Sequence, residues 1–283
     1  MRIWVTGAAG FLGARLVRAL ETEHEVVGIA RQDVDLAHPE AVQALRLLPS
    51  PEVVVHTAAR QPKGVVDASA YVESNVLTTA RLLDALADLA PRRFVFTSTL
   101  SVYGRPVRNP VSPTDGPEPT HQYGVTKRAA EQLVEYASIP ERVVLRLPSL
   151  YGAGQEDSFV DGLARGVLAG RPIEVFAGGR TLRDALHVDD AVEACVRAVE
   201  APLPEGCLYL HVGVGRAVTT GEWASALVEA FGSESEVVPV ERPSTQASDL
   251  YADVSAARVR LGFEPRDLGV AMRSYADELR AAH

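Results

Sequence analysis

The stretch Met1-Arg2-Ile3-Trp4-Val5-Thr6-Gly7-Ala8-Ala9-Gly10-Phe11-Leu12-Gly13 decides how the rest of the chain is read. Arg2 to Thr6 is a short apolar run that stops at Gly7, and beyond it Phe11, Leu12, Leu16, Val17 and Leu20 recur at helical spacing. This is a strand, a glycine turn and a helix. Gly7, Gly10 and Gly13 bracket the junction, where bare backbone lets a pyrophosphate approach the N–H groups and positive dipole end of the helix. A glycine triplet alone is weak, but at a strand-to-helix turn it marks a dinucleotide site, with Gly7, Gly10, Phe11, Leu12 and Gly13 as the expected cradle.

Working outward, Glu25 to Ala30, Val53 to Val55, Arg93 to Thr97 and Arg142 to Leu147 read as further strands, separated by helix-like stretches such as Ala68 to Leu89. The strands are apolar throughout rather than alternating, so the expectation is an α/β fold: a doubly wound parallel sheet covered on both faces. Past Leu147 the pattern loosens, with Pro148, Gly152, Gly154, Gly170, Pro172, Gly178, Gly179, Pro202 and Pro204 punctuating short elements. A smaller C-terminal substrate lobe is expected there, closed by helices over Thr220 to Phe231 and Leu268 to Ala282. The expected division is 1–150 for the dinucleotide domain and 151–283 for the lobe, with the segment around 180–212 returning to the sheet.

Composition narrows the partners. The 283 residues are 47% hydrophobic but interrupted everywhere by charge, so no membrane span is expected, and the N-terminus lacks the apolar segment of a secretory signal, which implies a cytoplasmic protein. A formal net charge of -9 disfavours nucleic acid and anionic membranes and leaves a small molecule as the expected partner. Cys195 and Cys207 have no metal-ligand spacing and read as small core residues; no metal is expected.

The chemistry is expected at Tyr123-Gly124-Val125-Thr126-Lys127, whose spacing stacks a phenol and an ammonium one helical turn apart. A phenol is a poor base near neutrality; a neighbouring ammonium and an oxidised nicotinamide both favour its ionised form, so Tyr123 is expected to trade a proton with a hydroxyl or carbonyl as hydride moves. The hydroxyl-rich run Thr97-Ser98-Thr99-Leu100-Ser101 ends a strand, where open α/β sheets carry their ligand groups. At the end of the second strand, Ile29-Ala30-Arg31-Gln32 offers no carboxylate for a ribose 2′-OH, whereas Arg31 could pair with a 2′-phosphate. NADP is therefore preferred over NAD, with a solvated surface arginine as the plainer alternative.

Over nearly its whole length the chain resembles the extended short-chain dehydrogenase/reductases, the NAD-dependent epimerase/dehydratase family acting on nucleotide-activated sugars, with a Rossmann sheet. The resemblance rests on the glycine turn, YxxxK, Arg183-Asp184-Ala185-Leu186-His187-Val188-Asp189-Asp190, and Leu250-Tyr251-Ala252-Asp253 with Leu261-Gly262-Phe263-Glu264-Pro265. It implies Thr99 as the catalytic hydroxyl, Tyr123 as acid/base, Lys127 as its partner and Ser101 on the substrate side. It also implies cofactor contacts from Asp35 and Leu36 at the adenine, from Thr57, Ala58 and Ala59, and from Asn75. Ser149, Arg183 and Arg242 are the implied substrate contacts, the arginines at a diphosphate. Two departures matter: Leu100 and Ser101 stand where sugar dehydratases and decarboxylases carry an acid, and Ser149 stands where many members have Asn.

The expected reaction is hydride transfer at C4 of a nucleotide sugar, read first as a 4-ketoreductase using NADPH. The alternatives are a 4-epimerase that retains NAD and, from another class, a non-catalytic dinucleotide sensor. Family analogy further implies a homodimer through the helices Ala68 to Leu89 and Tyr123 to Tyr136.

Overall fold

The computed structural model describes residues 1–62, 64, 67–156, 158–242 and 249–281. Its elements run β1 (Arg2–Thr6), α1 (Phe11–Leu20), β2 (Glu25–Ile29), α2 (Ala41–Arg46), β3 (Val53–His56), α3 (Ala68–Tyr71), α4 (Thr78–Leu89), β4 (Arg93–Thr99), α5 (Gln122–Glu135) and β5 (Glu141–Leu147). They continue as β6 (Ser149–Tyr151), α6 (Phe159–Leu168), β7 (Ile173–Phe176), β8 (Ala185–His187), α7 (Val188–Glu200), β9 (Gly206–His211), α8 (Thr220–Phe231), β10 (Val237–Val240), α9 (Ser255–Leu261) and α10 (Leu268–Ala281). The main sheet has six strands in the order β2-β1-β3-β4-β5-β9, with every pairing parallel.

Alternate side chains of the apolar strands feed two cores. Ile3, Val5, Val53 and Val55 pack beneath α1, α7 and α9 against Leu16, Val199 and Leu261. Trp4, Val54, Phe94 and Phe96 face the other way, toward Leu45, Leu82, Leu86 and Val134 of α2, α4 and α5. Burial on both faces is why these strands show no polar alternation. A third core, built from Val160, Trp223, Leu227, Met272 and Tyr275, joins α6, α8 and α10 in the lobe. The parallel register brings Thr6, His56, Thr99 and Leu147 to one rim of the sheet, and the site forms there.

Some elements depart from expectation. The stretch Ala68 to Leu89 is α3 and α4 joined by a π-helical turn, Val72–Leu77, rather than one α-helix. Below it the hydroxyls of Thr78 and Thr79 donate to the carbonyls of Ser74 and Asn75, both at 2.8 Å, and so serve carbonyls in the widened turn. Two small parallel pairs, β6 with β8 and β7 with β10, had no sequence signature. β9 hydrogen-bonds to β5 at the edge of the main sheet while α7 packs on its face. The last helix extends to Ala281; Ala282 lies outside the described residues.

Candidate active site

The glycine turn is shaped by contacts that no side chain could share. Gly7 has φ +72°, and a Cβ added at Gly13 would stand 2.1 Å from the Gly7 carbonyl oxygen. Gly10 caps α1 without any side-chain hydrogen bond, so the N–H groups at the start of this helix are left for a ligand. Thr57 donates to the Thr6 carbonyl at 2.7 Å and pins the β3 loop beside the turn. The donor set and the bare approach fit a pyrophosphate.

One end of this wall opens into a cavity of about 300 Å³ lined by Gly7, Gly10, Arg31, Asp35, Leu36, Thr57, Ala58, Ala59 and Arg60, among others. Arg31 is exposed, and its Nε donates to Asp35 at 3.0 Å. The Ala37 N–H, then Arg31, hold the Asp35 carboxyl below its usual range despite partial burial. Arg31 is therefore already ion-paired rather than a bare anion receptor.

The other end is a larger cleft of about 720 Å³, between the rim and the lobe. Phe11, Leu12, Gly13, Thr99, Ser101, Tyr123 and Lys127 line its sheet side; Ser149, Gln155 and Arg183 line it from the lobe. Thr99 ends β4, and its hydroxyl accepts the Ser101 N–H at 3.1 Å, fixing the turn that follows. Tyr123 lies in the first turn of α5 and is 7% exposed. Burial pushes its phenol up to about 12, partly offset by hydrogen bonds with Thr99 and Gln61. Lys127, one turn on, is brought down to about 7 by burial, opposed by the charge of Glu131. Its Nζ lies 4.0 Å from the centre of the Phe96 ring. In the protein alone desolvation dominates at Tyr123, and Thr99 and Gln61 supply the opposing effect, whereas the expected acidification also draws on the charge of an oxidised nicotinamide.

Beneath this wall Glu131 is wholly buried. Its carboxylate accepts from Ser98 Oγ at 2.6 Å and from Arg146 Nε and Nη2 at 2.9 and 2.8 Å. Arg146 also donates to the Tyr103 hydroxyl, which meets His211 Nε2 at 2.7 Å. The network ties α5 to β4, β5 and β9, so Tyr123 and Lys127 are held against the strand end that carries Thr99.

Residues 3–207 match the sequence model of the NAD dependent epimerase/dehydratase family. The chain belongs to that family. As a member of the NAD-dependent epimerase/dehydratase family it is an enzyme with the extended short-chain dehydrogenase/reductase fold. It is 31% identical over 300 residues to the UDP-glucose 4-epimerase of Mycolicibacterium smegmatis, covering 94% of each chain. The structure superposes with a TM-score of 0.87 on UDP-glucose 4-epimerase of Thermotoga maritima bound to UDP-glucose, at 25% identity, covering 100% of this chain and 99% of that one. With MoeE5 in complex with UDP-glucuronic acid and NAD the TM-score is 0.84 at 30% identity, each chain fully covered. These relatives are 4-epimerases or hold NAD, so the expected order is corrected: the epimerase reading fits better than the NADPH-dependent 4-ketoreductase.

Not every residue expected from the family lies at the cleft. Asn75 is 1% exposed; its amide oxygen accepts the Arg60 N–H at 2.8 Å and its Nδ2 donates to Thr126 at 3.1 Å. It braces the β3 loop against α5 and lines neither cavity. Arg242 follows β10 on the surface and lies outside the cleft lining; its carbonyl accepts the Ala177 N–H, and residues 243–248 after it are outside the described residues. Arg183 does reach the cleft, and its Nε is buried without a hydrogen-bond partner among the described residues. Sequence reasoning missed Gln61, His121 and Gln155, which line the cleft from loops and a helix cap. Only His121 carried a usable signal, standing two residues before the tyrosine of YxxxK. Among the described residues, no helix is long and apolar enough to cross a membrane.

Proposed function

We propose that this protein is a nucleotide-sugar 4-epimerase that keeps NAD bound through its cycle. The observation that carries the reading is the buried Tyr123 phenol, hydrogen-bonded to Thr99 and Gln61, in one cleft with the glycine turn on one side and Arg183 on the other. Gly7, Gly10, Phe11, Leu12 and Gly13 hold the pyrophosphate of the dinucleotide, and Asp35, Leu36, Thr57, Ala58 and Ala59 its adenosine end. When bound, NAD supplies a hydride acceptor and donor at the sugar's C4. The chain's own groups do the rest: Thr99 holds the C4 oxygen, Tyr123 takes its proton as C4 is oxidised and returns it to the same oxygen once the 4-keto sugar has turned over to present its other face, and the Lys127 charge favours the phenolate that Tyr123 passes through. Arg183 and Ser149 bind the diphosphate, for which forked donors are suited.

Unphosphorylated NAD is favoured because Asp35 already neutralises Arg31 and would repel a 2′-phosphate at that place. The NADP reading keeps one supporting observation, since Arg31 and Arg60 both line the adenosine cavity. Mass spectrometry of nucleotide released from the purified protein, with NMR of UDP-glucose incubated without added cofactor, separates the two. Bound NAD and accumulating UDP-galactose are expected; released NADP together with UDP-glucose left unchanged would favour the reductase.

The homodimer reading attaches to the groove between α4 and α5, where Leu83, Leu133 and Tyr136 are accessible beside Ala80 and Ala129. Light scattering is expected to give twice the chain mass, and Leu133→Arg to return it to one.

A further inference from the structure

We propose that His121 is a substrate-side residue of this site and that it selects sugars carrying a carboxylate at C6. The inference rests on the epimerase reading above and concerns which sugar that site prefers. His121 caps α5 in an extended conformation, with its Nδ1 accepting the Gly124 N–H at 3.2 Å. A ring nitrogen that accepts carries no proton, so the neutral imidazole holds its proton on Nε2. His121 is exposed, its Nε2 makes no hydrogen bond among the described residues, and the ring lines the cleft beside Tyr123. The two rings lie within 9° of parallel, centroids 6.3 Å apart. Asn, Asp or Ser would cap the helix better than histidine does. What the imidazole adds is a donor at the mouth of the catalytic pocket.

The charge around it indicates the acceptor. The chain has 37 acidic and 28 basic residues, yet the described residues lining the cleft include no Asp or Glu, while Lys127 and Arg183 stand among them. Arg183 and Ser149 line the cleft from the lobe, where the diphosphate is placed, and His121 lies beside the ring of Tyr123, which hydrogen-bonds Thr99. C6 of a hexopyranose is attached to C5, next to the C4 whose oxygen meets Tyr123. A donor one ring away from Tyr123 is therefore within reach of a C6 substituent. The C3 hydroxyl is equally close to C4, but an N–H to carboxylate bond is charge-assisted and roughly twice as strong as one to a neutral hydroxyl. The missing carboxylates leave nothing in the lining to repel that group.

The test compares kcat/KM for UDP-glucuronate and UDP-glucose in the unmodified protein and in His121→Asn, which keeps a capping acceptor and removes the Nε2 donor. The ratio of the two constants, taken on one preparation, is independent of the fraction folded. We expect the unmodified protein to favour the uronate and the ratio to fall on the order of ten- to a hundredfold in the variant, with His121→Ser giving the same direction. A preference for UDP-glucose in the unmodified protein, or a ratio unchanged in both variants, would overturn the assignment while leaving the epimerase reading in place. Absence of epimerisation with either sugar would overturn both.

Discussion

The two walls of the cleft are built on different terms. On the sheet side the groups behind Tyr123 and Lys127 are paired: Thr6 and Thr79 meet the two ring nitrogens of His56 at 2.6 and 3.1 Å, and Glu131 is saturated by Ser98 and Arg146, while Arg142 Nε and His211 Nδ1 on β5 and β9 have no hydrogen-bond partner among the described residues. On the lobe side Arg183, which lines the cleft, has its Nε buried with no hydrogen-bond partner among the described residues. A saturated wall fixes geometry, whereas unpaired donors hold interaction capacity for a ligand. The difference teaches that the network around His56 and Glu131 contributes mainly to stability and placement, and Arg183 to affinity.

That contrast can be broken by substitution. The largest loss of stability is expected from Glu131→Ala, which strands the Arg146 guanidinium in the core and should cost about 3–5 kcal/mol in chemical denaturation. Gly13→Ala comes next: its Cβ collides with backbone at Gly7, so overpacking of about 1–3 kcal/mol is expected together with loss of co-purifying dinucleotide.

His56 gives a pH-dependent version. Burial, helped by the Lys127 charge, lowers its ring from the ordinary 6.5 to about 3, so the native ring stays neutral where the unfolded ring protonates. Its contribution is fully present above pH 6.5 and is lost as pH falls toward about 3, at about 1.4 kcal/mol per pH unit. His56→Gln should flatten the fall in urea midpoint between pH 7 and pH 5. The smallest change in stability is expected on the other wall. Arg183→Gln removes a half-buried guanidinium with an unpaired Nε, so the melting temperature should hold or rise while KM for the sugar nucleotide increases about tenfold. A melting loss at Arg183 comparable with that at Glu131 would erase the distinction between the walls.

The same contrast explains what could be read in the sequence. The glycine turn, YxxxK and the apolar strands are local patterns whose structural meaning is set within a dozen residues, and they gave the sheet and most of the rim. The lobe side depends on distant partners. Asp184 accepts from Val214 and Ala252 at 3.1 and 3.0 Å, and nothing near Asp184 in the chain announces either residue. The β6–β8 pair is likewise three residues long and joins segments more than thirty apart. Asn75 and Arg242 were placed by family position alone; one is spent on bracing the β3 loop and the other lies on the surface. The burial that raises the Tyr123 phenol in the protein alone could not be read from the YxxxK spacing, which reports only the neighbouring lysine.

The central claim is that Tyr123, set against Thr99 by the sheet-side network, is the proton-exchanging group of a C4 oxidation and reduction. Tyr123→Phe tests it most directly when bound dinucleotide and epimerisation are measured on the same preparation. The account predicts dinucleotide content within about twofold of the unmodified protein and turnover lower by about 10²–10⁴. Undiminished epimerisation by the phenylalanine variant would contradict it.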